Sequence, residues 1–207
     1  MALINSFLFA QHERTEHWHQ RNQQFIRELD FSSPGKIIFL GNSITEGFDL
    51  DFHFPVTKPI NRGISGDHID GLLERLETSV LRLKPSRLYI LIGINDIGAG
   101  DPDSVILDNT HRLLETLKVG LRDSAVFIQS ILPTTTAWTN CAKEKIIRLN
   151  SQIHRITETY GFKWIDLYPL FVDSTGYLRR DLTDDGLHLN ETGYRVWAEV
   201  LLQKGLK

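Results

Sequence analysis

A chain of 207 residues, 41% hydrophobic and 24% charged, has the apolar content for a packed core and a length that suits one domain better than two. Lys and Arg number 23 against 26 Asp and Glu, a net charge of −3 with both signs interleaved, which excludes the basic stripe of a nucleic-acid or anionic-membrane binder. Cys141 is the only cysteine, so an intramolecular disulfide framework is excluded and a thiolate metal cluster is not expected.

The first residues, MALINSFLFAQ, are apolar but lack a basic n-region and fall short of the roughly 18 apolar residues a membrane span needs. A cytoplasmic location is therefore expected; the alternative is an exported chain whose signal peptide is absent from this sequence. Trp18, Phe25, Ile26 and Leu29 follow at helical spacing, making residues 1–30 a helical extension packed on a single domain that spans 1–207.

Strand-like runs then alternate with helical ones. KIIFL (36–40) is a short buried strand, Gly41-Asn42 a turn, and Ser43 stands where a helix starts. A weaker strand, KPINR (58–62), precedes HIDGLLERLETSVLRL, whose Ile69, Leu72, Leu73, Leu76, Val80 and Leu83 share one face until Pro85 stops the helix. RLYILI (87–92), AVFIQSI (125–131) and FKWIDL (162–167) are the remaining strands. Between them lie the helical patterns DNTHRLLETLKVGL and EKIIRLNSQIHRITETY. After DDGLHLNETGY, a last helix carries Tyr194, Val196, Trp197, Val200 and Leu201.

Apolar strands linked by helical crossovers imply a three-layer α/β/α domain with a central parallel five-stranded sheet. Right-handed crossovers leave all carboxyl ends on one edge, where a switch in strand order opens a crevice. Ser43, Arg62-Gly63 and the Gly93-Ile94-Asn95-Asp96 turn all fall on that edge.

A serine hydroxyl there needs a base, and histidine can take its proton and return it to a leaving group. Asp185-x-x-His188 supplies a base with a carboxylate able to hold its Nδ1–H; the adjacent Asp184 competes for that role, and the three-residue offset favours Asp185. Donors for a developing oxyanion are the Ser43 N–H, the side-chain amide of Asn95, and the N–H of Gly63, although Gly66 offers the same group. Taken alone, Ser43 reads equally well as an N-cap with Glu46 completing a capping box, and Asn95-Asp96 as turn residues, the role Asp96 is left in.

With these residues in order the sequence resembles the SGNH hydrolases, also called GDSL-type esterases and lipases, over nearly its whole length. GNSIT is similar to the nucleophile block, NRGISGD to the glycine block, GIND to the asparagine block and DDGLHLN to the acid–base block. The resemblance implies a flavodoxin-like fold, Ser43 as nucleophile, Asp185 and His188 as its relay, and the Ser43 amide, Gly63 and Asn95 as oxyanion donors. Asn42 departs from the pattern, since many members carry aspartate before the serine. FLGNSITEG, NRGISGD and GLHLN look most like the branch of platelet-activating-factor acetylhydrolase subunits and carbohydrate O-acetylesterases, which implies short acyl groups.

The expected activity is hydrolysis of short-chain, acetyl-like carboxylic esters through an acyl-serine. A thioesterase or lysophospholipase with a longer acyl groove, or an idle scaffold of the same fold, are the alternatives. Loops 46–59, 97–104 and 132–140 are the expected pocket walls, with Phe48 and Trp138 as aromatic candidates for its floor or as packing plugs. No phosphate loop or dinucleotide fingerprint is present, so no cofactor is expected. His17 and His19 point apart on a helix and His53, His68, His111 and His154 stand alone, so no metal is expected. The N-terminal helix has an outer face that suits a homodimer, or equally packing on the chain's own sheet.

Overall fold

The computed structural model describes residues 12–29 and 34–206. Part of the extension expected over 1–30 lies outside the described residues. In chain order the elements are α1 (Glu16–Glu28), β1 (Ile37–Gly41), α2 (Ser43–Glu46), α3 (Leu50–His53), β2 (Ile60–Gly63), α4 (Ile69–Ser79), β3 (Arg87–Leu91) and α5 (Ile94–Ala99). They continue with α6 (Asp103–Gly120), β4 (Ala125–Gln129), α7 (Lys143–Thr159), β5 (Lys163–Ile165), α8 (Tyr168–Phe171) and α9 (Glu191–Gln203).

The five strands form one parallel sheet in the order β2-β1-β3-β4-β5, the flavodoxin-like order. The inner strands β1, β3 and β4 are apolar along most of their length because helices cover both faces, whereas the edge strands β2 (Ile-Asn-Arg-Gly) and β5 (Lys-Trp-Ile) carry polar residues. Phe39, Tyr89 and Phe127 are register partners and stack at 5.0 and 4.6 Å between ring centroids, forming an aromatic ladder across one face. Trp197 of α9 lies against Phe39 on that face, its indole donating to Gln129 Oε1 at 2.7 Å. Leu40, Ile90 and Ile128 point the other way, towards the buried stripes of α4, α6 and α7.

The helix before Pro85 is shorter than its periodicity predicts. It ends at Ser79, and Leu81–Leu83 form a tighter 3-10 turn that still buries Val80 and Leu83, closed by Lys84 at φ +43°. Apolar spacing reports which side chains are buried, and a 3-10 turn buries them as well as a continued helix does. α1 packs beside α4 through Trp18 and Phe25, with Phe25 beneath the guanidinium groups of Arg62 and Arg75. No helix among the described residues is long and apolar enough to cross a membrane.

β1 sits between β2 and β3, so the chain leaves β1 in one direction and returns past it to start β3. Gly41 at the end of β1 is level with Gly63 and Leu91, which brings the segments after β1, β2 and β3 to one crevice.

Candidate active site

The first residue to leave β1 is held by Asn42. Fully buried, it caps α2, its Oδ1 accepting the Ile44 N–H at 3.1 Å, and Ser43 is the first residue of that helix. The alternative reading of Ser43 as a cap does not hold: the cap lies one residue earlier, in the departure Asn42, and the serine hydroxyl is left for other contacts. Glu46 does not close a capping box either. Its Oε2 accepts from the N–H and the hydroxyl of Ser65, both at 2.6 Å, while His17 and Arg21 of α1 reach its Oε1. Burial pushes the Glu46 carboxyl up, and the bonds from Ser65 and His17 outweigh it and hold it below its ordinary value.

His188 meets Ser43 across the crevice. Its Nε2 lies 2.9 Å from Ser43 Oγ and its Nδ1 lies 2.6 Å from Asp185 Oδ2. Asp185 Oδ1 accepts the N–H groups of Leu187 and His188 at 2.9 and 2.8 Å, so the acid, its loop and the imidazole form one local unit. Partial burial raises the Asp185 carboxyl, but the His188 contact and these two backbone donors pull it down to about 2. Gly186 makes the turn at φ +87°, where an added Cβ would lie 2.1 Å from Thr135 Oγ1. Of the two competing carboxylates, both exposed, it is Asp185 and not Asp184 that meets His188 Nδ1.

The glycine that ends β2 behaves differently from expectation. The Gly63 N–H donates to Asn61 Oδ1 at 2.8 Å, and a Cβ at Gly63 would stand 2.2 Å from the Glu46 nitrogen. Gly63 lets α2 lie against β2; its amide is engaged within the chain and is not presented to the crevice. Asn61 meanwhile donates to the carbonyls of Thr45 and Phe48 at 2.7 and 3.1 Å, taking up acceptors that the short helix α2 leaves open. Gly66, by contrast, has φ +76° and open space where a Cβ would be, and among the described residues nothing accepts from its N–H or from that of Ser43.

Asn95 is the second residue of α5, just after β3, and its Nδ2 donates one hydrogen to the Asp67 carbonyl at 2.9 Å, which orients the second. Gly66 and Asn95 line one pocket with Ile94, Gly98, Ala99, Trp138, Asn140, Cys141, Leu187 and His68. Of the segments expected as walls, 97–104 contributes Gly98 and Ala99, the last residues of α5, and 132–140 contributes Trp138 and Asn140. The 46–59 loop lines a different cleft with Glu191 and Tyr194, and Phe48 is buried between the rings of Tyr194 and Trp197. Trp138, 39% exposed, donates its indole N–H to the Asp185 carbonyl at 3.0 Å.

Several supports have no signal in a single sequence. Asp67 and Arg75, both fully buried, pair at 2.9 Å; Arg75 also donates to the Gly41 carbonyl, and Asp67 accepts the Trp18 indole N–H at 3.0 Å. Tyr194 donates to the Ile44 carbonyl at 2.9 Å. Each pairing joins residues distant in the chain, so no spacing rule announces it.

Residues 39–196 match the GDSL-like Lipase/Acylhydrolase family. Among solved structures the chain is similar to a Streptococcus pneumonia protein named for platelet activating factor, at 26% identity over 92% of this chain and 93% of that one, TM-score 0.86. A Bacteroides fragilis protein named as an acylhydrolase is 26% identical over 94% of this chain and 100% of that one, TM-score 0.81. Axe2, an acetylxylan esterase from Geobacillus stearothermophilus, shares the fold at 19% identity, over 84% and 94% of the two chains and with TM-score 0.68. No curated protein matches the chain.

Proposed function

The chain belongs to the GDSL-like lipase/acylhydrolase family and is a serine-type carboxylic ester hydrolase, and from that premise we propose that it removes short acyl groups, acetyl foremost, through an acyl-Ser43 intermediate. The observation that carries this reading is the line Ser43 Oγ, His188 Nε2, His188 Nδ1, Asp185 Oδ2, with separations of 2.9 and 2.6 Å across its two hydrogen bonds.

In this mechanism Asp185 accepts the Nδ1–H of a neutral His188, leaving the Nε2 lone pair to receive the Ser43 proton. As Ser43 Oγ bonds to the ester carbonyl carbon, the proton passes to Nε2 and the imidazolium forms beside an ionised Asp185. The carbonyl oxygen gains the negative charge and turns towards the N–H groups of Ser43 and Gly66 and the free Nδ2 hydrogen of Asn95. Each such donor is worth about 3 kcal/mol in the transition state. Gly66 takes the role first given to Gly63, because the Gly63 amide is spent on Asn61. His188 then protonates the departing alkoxide, and water repeats the sequence to release the acid and restore Ser43.

The short acyl preference is supported by what bounds the pocket beside Gly66 and Asn95. Ile94, Cys141 and Leu187 are buried side chains and Trp138 stands at its rim, an apolar recess for a small group. Hydrolysis of p-nitrophenyl acetate, butyrate and octanoate by wild type and Ser43→Ala tests the reading. Acetate is expected to turn over fastest, with Ser43→Ala at background and wild type labelled at Ser43 by an organophosphonate. Activity that rises with acyl length overturns the acetyl preference, and activity that survives Ser43→Ala overturns the nucleophile.

A further inference from the structure

Where His68 lines the pocket, His12 lies face to face with it, 3.5 Å between ring centroids and 13° between planes. His12 comes from the segment before α1 and His68 from the loop that carries Gly66. Asp101, just after α5, places Oδ2 3.4 Å from His12 Nε2, and donor atoms of His12, His68 and Asp101 all fall within 4.8 Å of one another. Asp96, next to Asn95, is 1% exposed, with Oδ2 3.8 Å from His68 Nδ1.

Three of these atoms, His68 Nδ1, Asp96 Oδ2 and Asp101 Oδ2, are buried without a hydrogen-bond partner. Isolated buried polar atoms are costly, and several converging on one point mark a place built for something that satisfies them together. Neighbouring contacts turn the donors inward. Asp70, held by Arg14 at 3.0 Å, takes the His12 N–H at 2.9 Å and lies 3.3 Å from His12 Nδ1, which leaves Nε2 facing Asp101. Lys145 donates to the Asp101 main-chain carbonyl at 2.6 Å and not to its carboxylate Oδ2.

We propose that His12, His68 and Asp101 bind one divalent ion of the zinc class, with Asp96 supplying the second negative charge beside them. Two imidazoles select a borderline transition ion over magnesium or calcium, and two carboxylates balance its charge in a buried setting. The Asp70 contact to His12 Nδ1 is the outer-shell carboxylate that orients a metal-bound histidine. An ion drawing a nitrogen from each ring opens their stack. It also ties the segment before α1 to the loops bearing Gly66 and Asn95, so its role is to brace the two loops that supply oxyanion donors.

The test uses the full chain freed of metal with a chelator, titrated with Zn²⁺ against a chromophoric competitor, with metal content measured after desalting and thermal melts run with and without ion. Wild type is expected to hold one zinc per chain and to melt higher with it, with no response to Mg²⁺ or Ca²⁺. His12→Ala and Asp101→Asn, shown to be folded by their melts in chelator, lose affinity by at least about 10-fold, as disturbed metal sites do. His154→Ala, on the exposed face of α7, binds as wild type does. Absence of stoichiometric zinc in wild type, or unchanged affinity in both His12→Ala and Asp101→Asn, overturns the proposal, as does an equal response to Mg²⁺.

Discussion

Asn61 Oδ1 accepts the Gly63 N–H at 2.8 Å, and the same side chain donates to two carbonyls at the end of α2, so β2 and the helix that carries Ser43 are fastened through one amide. The two glycines of NRGISGD therefore serve different ends, and substitution separates them. Gly63→Ala forces a Cβ to 2.2 Å from the Glu46 nitrogen, an overpacking expected to cost about 2–3 kcal/mol and to lower Tm sharply. Gly66→Ala meets open space and bears only the left-handed strain at φ +76°, about 1–2 kcal/mol, yet it shifts a donor N–H and should lower kcat more than KM. Thermal melts beside steady-state kinetics on both variants check the division.

Asn95→Ala removes an amide that the Asp67 main-chain carbonyl aims. The expected result is a kcat loss of about 10²–10³ with KM little changed, the signature of a contact made mainly in the transition state. A loss confined to KM would place Asn95 in ground-state binding instead.

Trp138 bounds the pocket and holds the Asp185 carbonyl, and its loss should do two separable things. Removing the indole lengthens the recess, so the octanoate-to-acetate ratio of kcat/KM is expected to rise by about tenfold, in keeping with pocket discrimination of one to a few methylenes. Trp138→Phe keeps most of the wall and loses the donor, and should leave that ratio near wild type while kcat falls modestly. Kinetics on both esters distinguish wall from tether.

Asp185 is held at about 2, below its unfolded value near 3.9, so its bonds stabilise the fold fully above the unfolded pKa and the contribution is lost as pH falls through that value towards 2. Asp185→Asn lacks this linkage. The gap in denaturant midpoint between wild type and Asp185→Asn should thus narrow as pH drops from about 6 to about 3. A gap that stays constant or widens over that range would mean that the Asp185 carboxylate adds nothing to stability.

The fold was legible because its evidence is local: four apolar runs, one weaker strand and the stripes between them survive in sequence order, and strand ends matched within about two residues, the usual looseness of element boundaries. Ser43 and His188 were legible for a related reason, since a serine after a strand and a D-x-x-H loop are short patterns. What failed depended on partners far away in the chain. Whether the Gly63 or the Gly66 N–H is free is decided by where the Asn61 side chain turns, and whether Ser43 or Asn42 caps α2 by a one-residue offset no spacing resolves. His68 stands alone in sequence and is stacked on His12 in space. Asp96, which reads as a turn residue, is buried in the first turn of α5 and accepts the Ile69 N–H at 3.1 Å, joining α5 to the start of α4; burial lifts its carboxyl to about 7.

The bond from Trp18 to Asp67 gives the N-terminal helix a reach its position at the edge of the molecule does not suggest. Asp67 steers Asn95 through its carbonyl and anchors Arg75 through its carboxylate, so the indole of α1 stands two contacts from Asn95. Trimming the chain back to residue 34 would strip a buried carboxylate of one of its donors while the sheet and the Ser43–His188–Asp185 line remained. Such a shortened enzyme also loses Phe25 from beneath Arg62 and Arg75 and Glu28 from Arg62, so it should melt lower, and where folded it should still be labelled by an organophosphonate but turn over slowly.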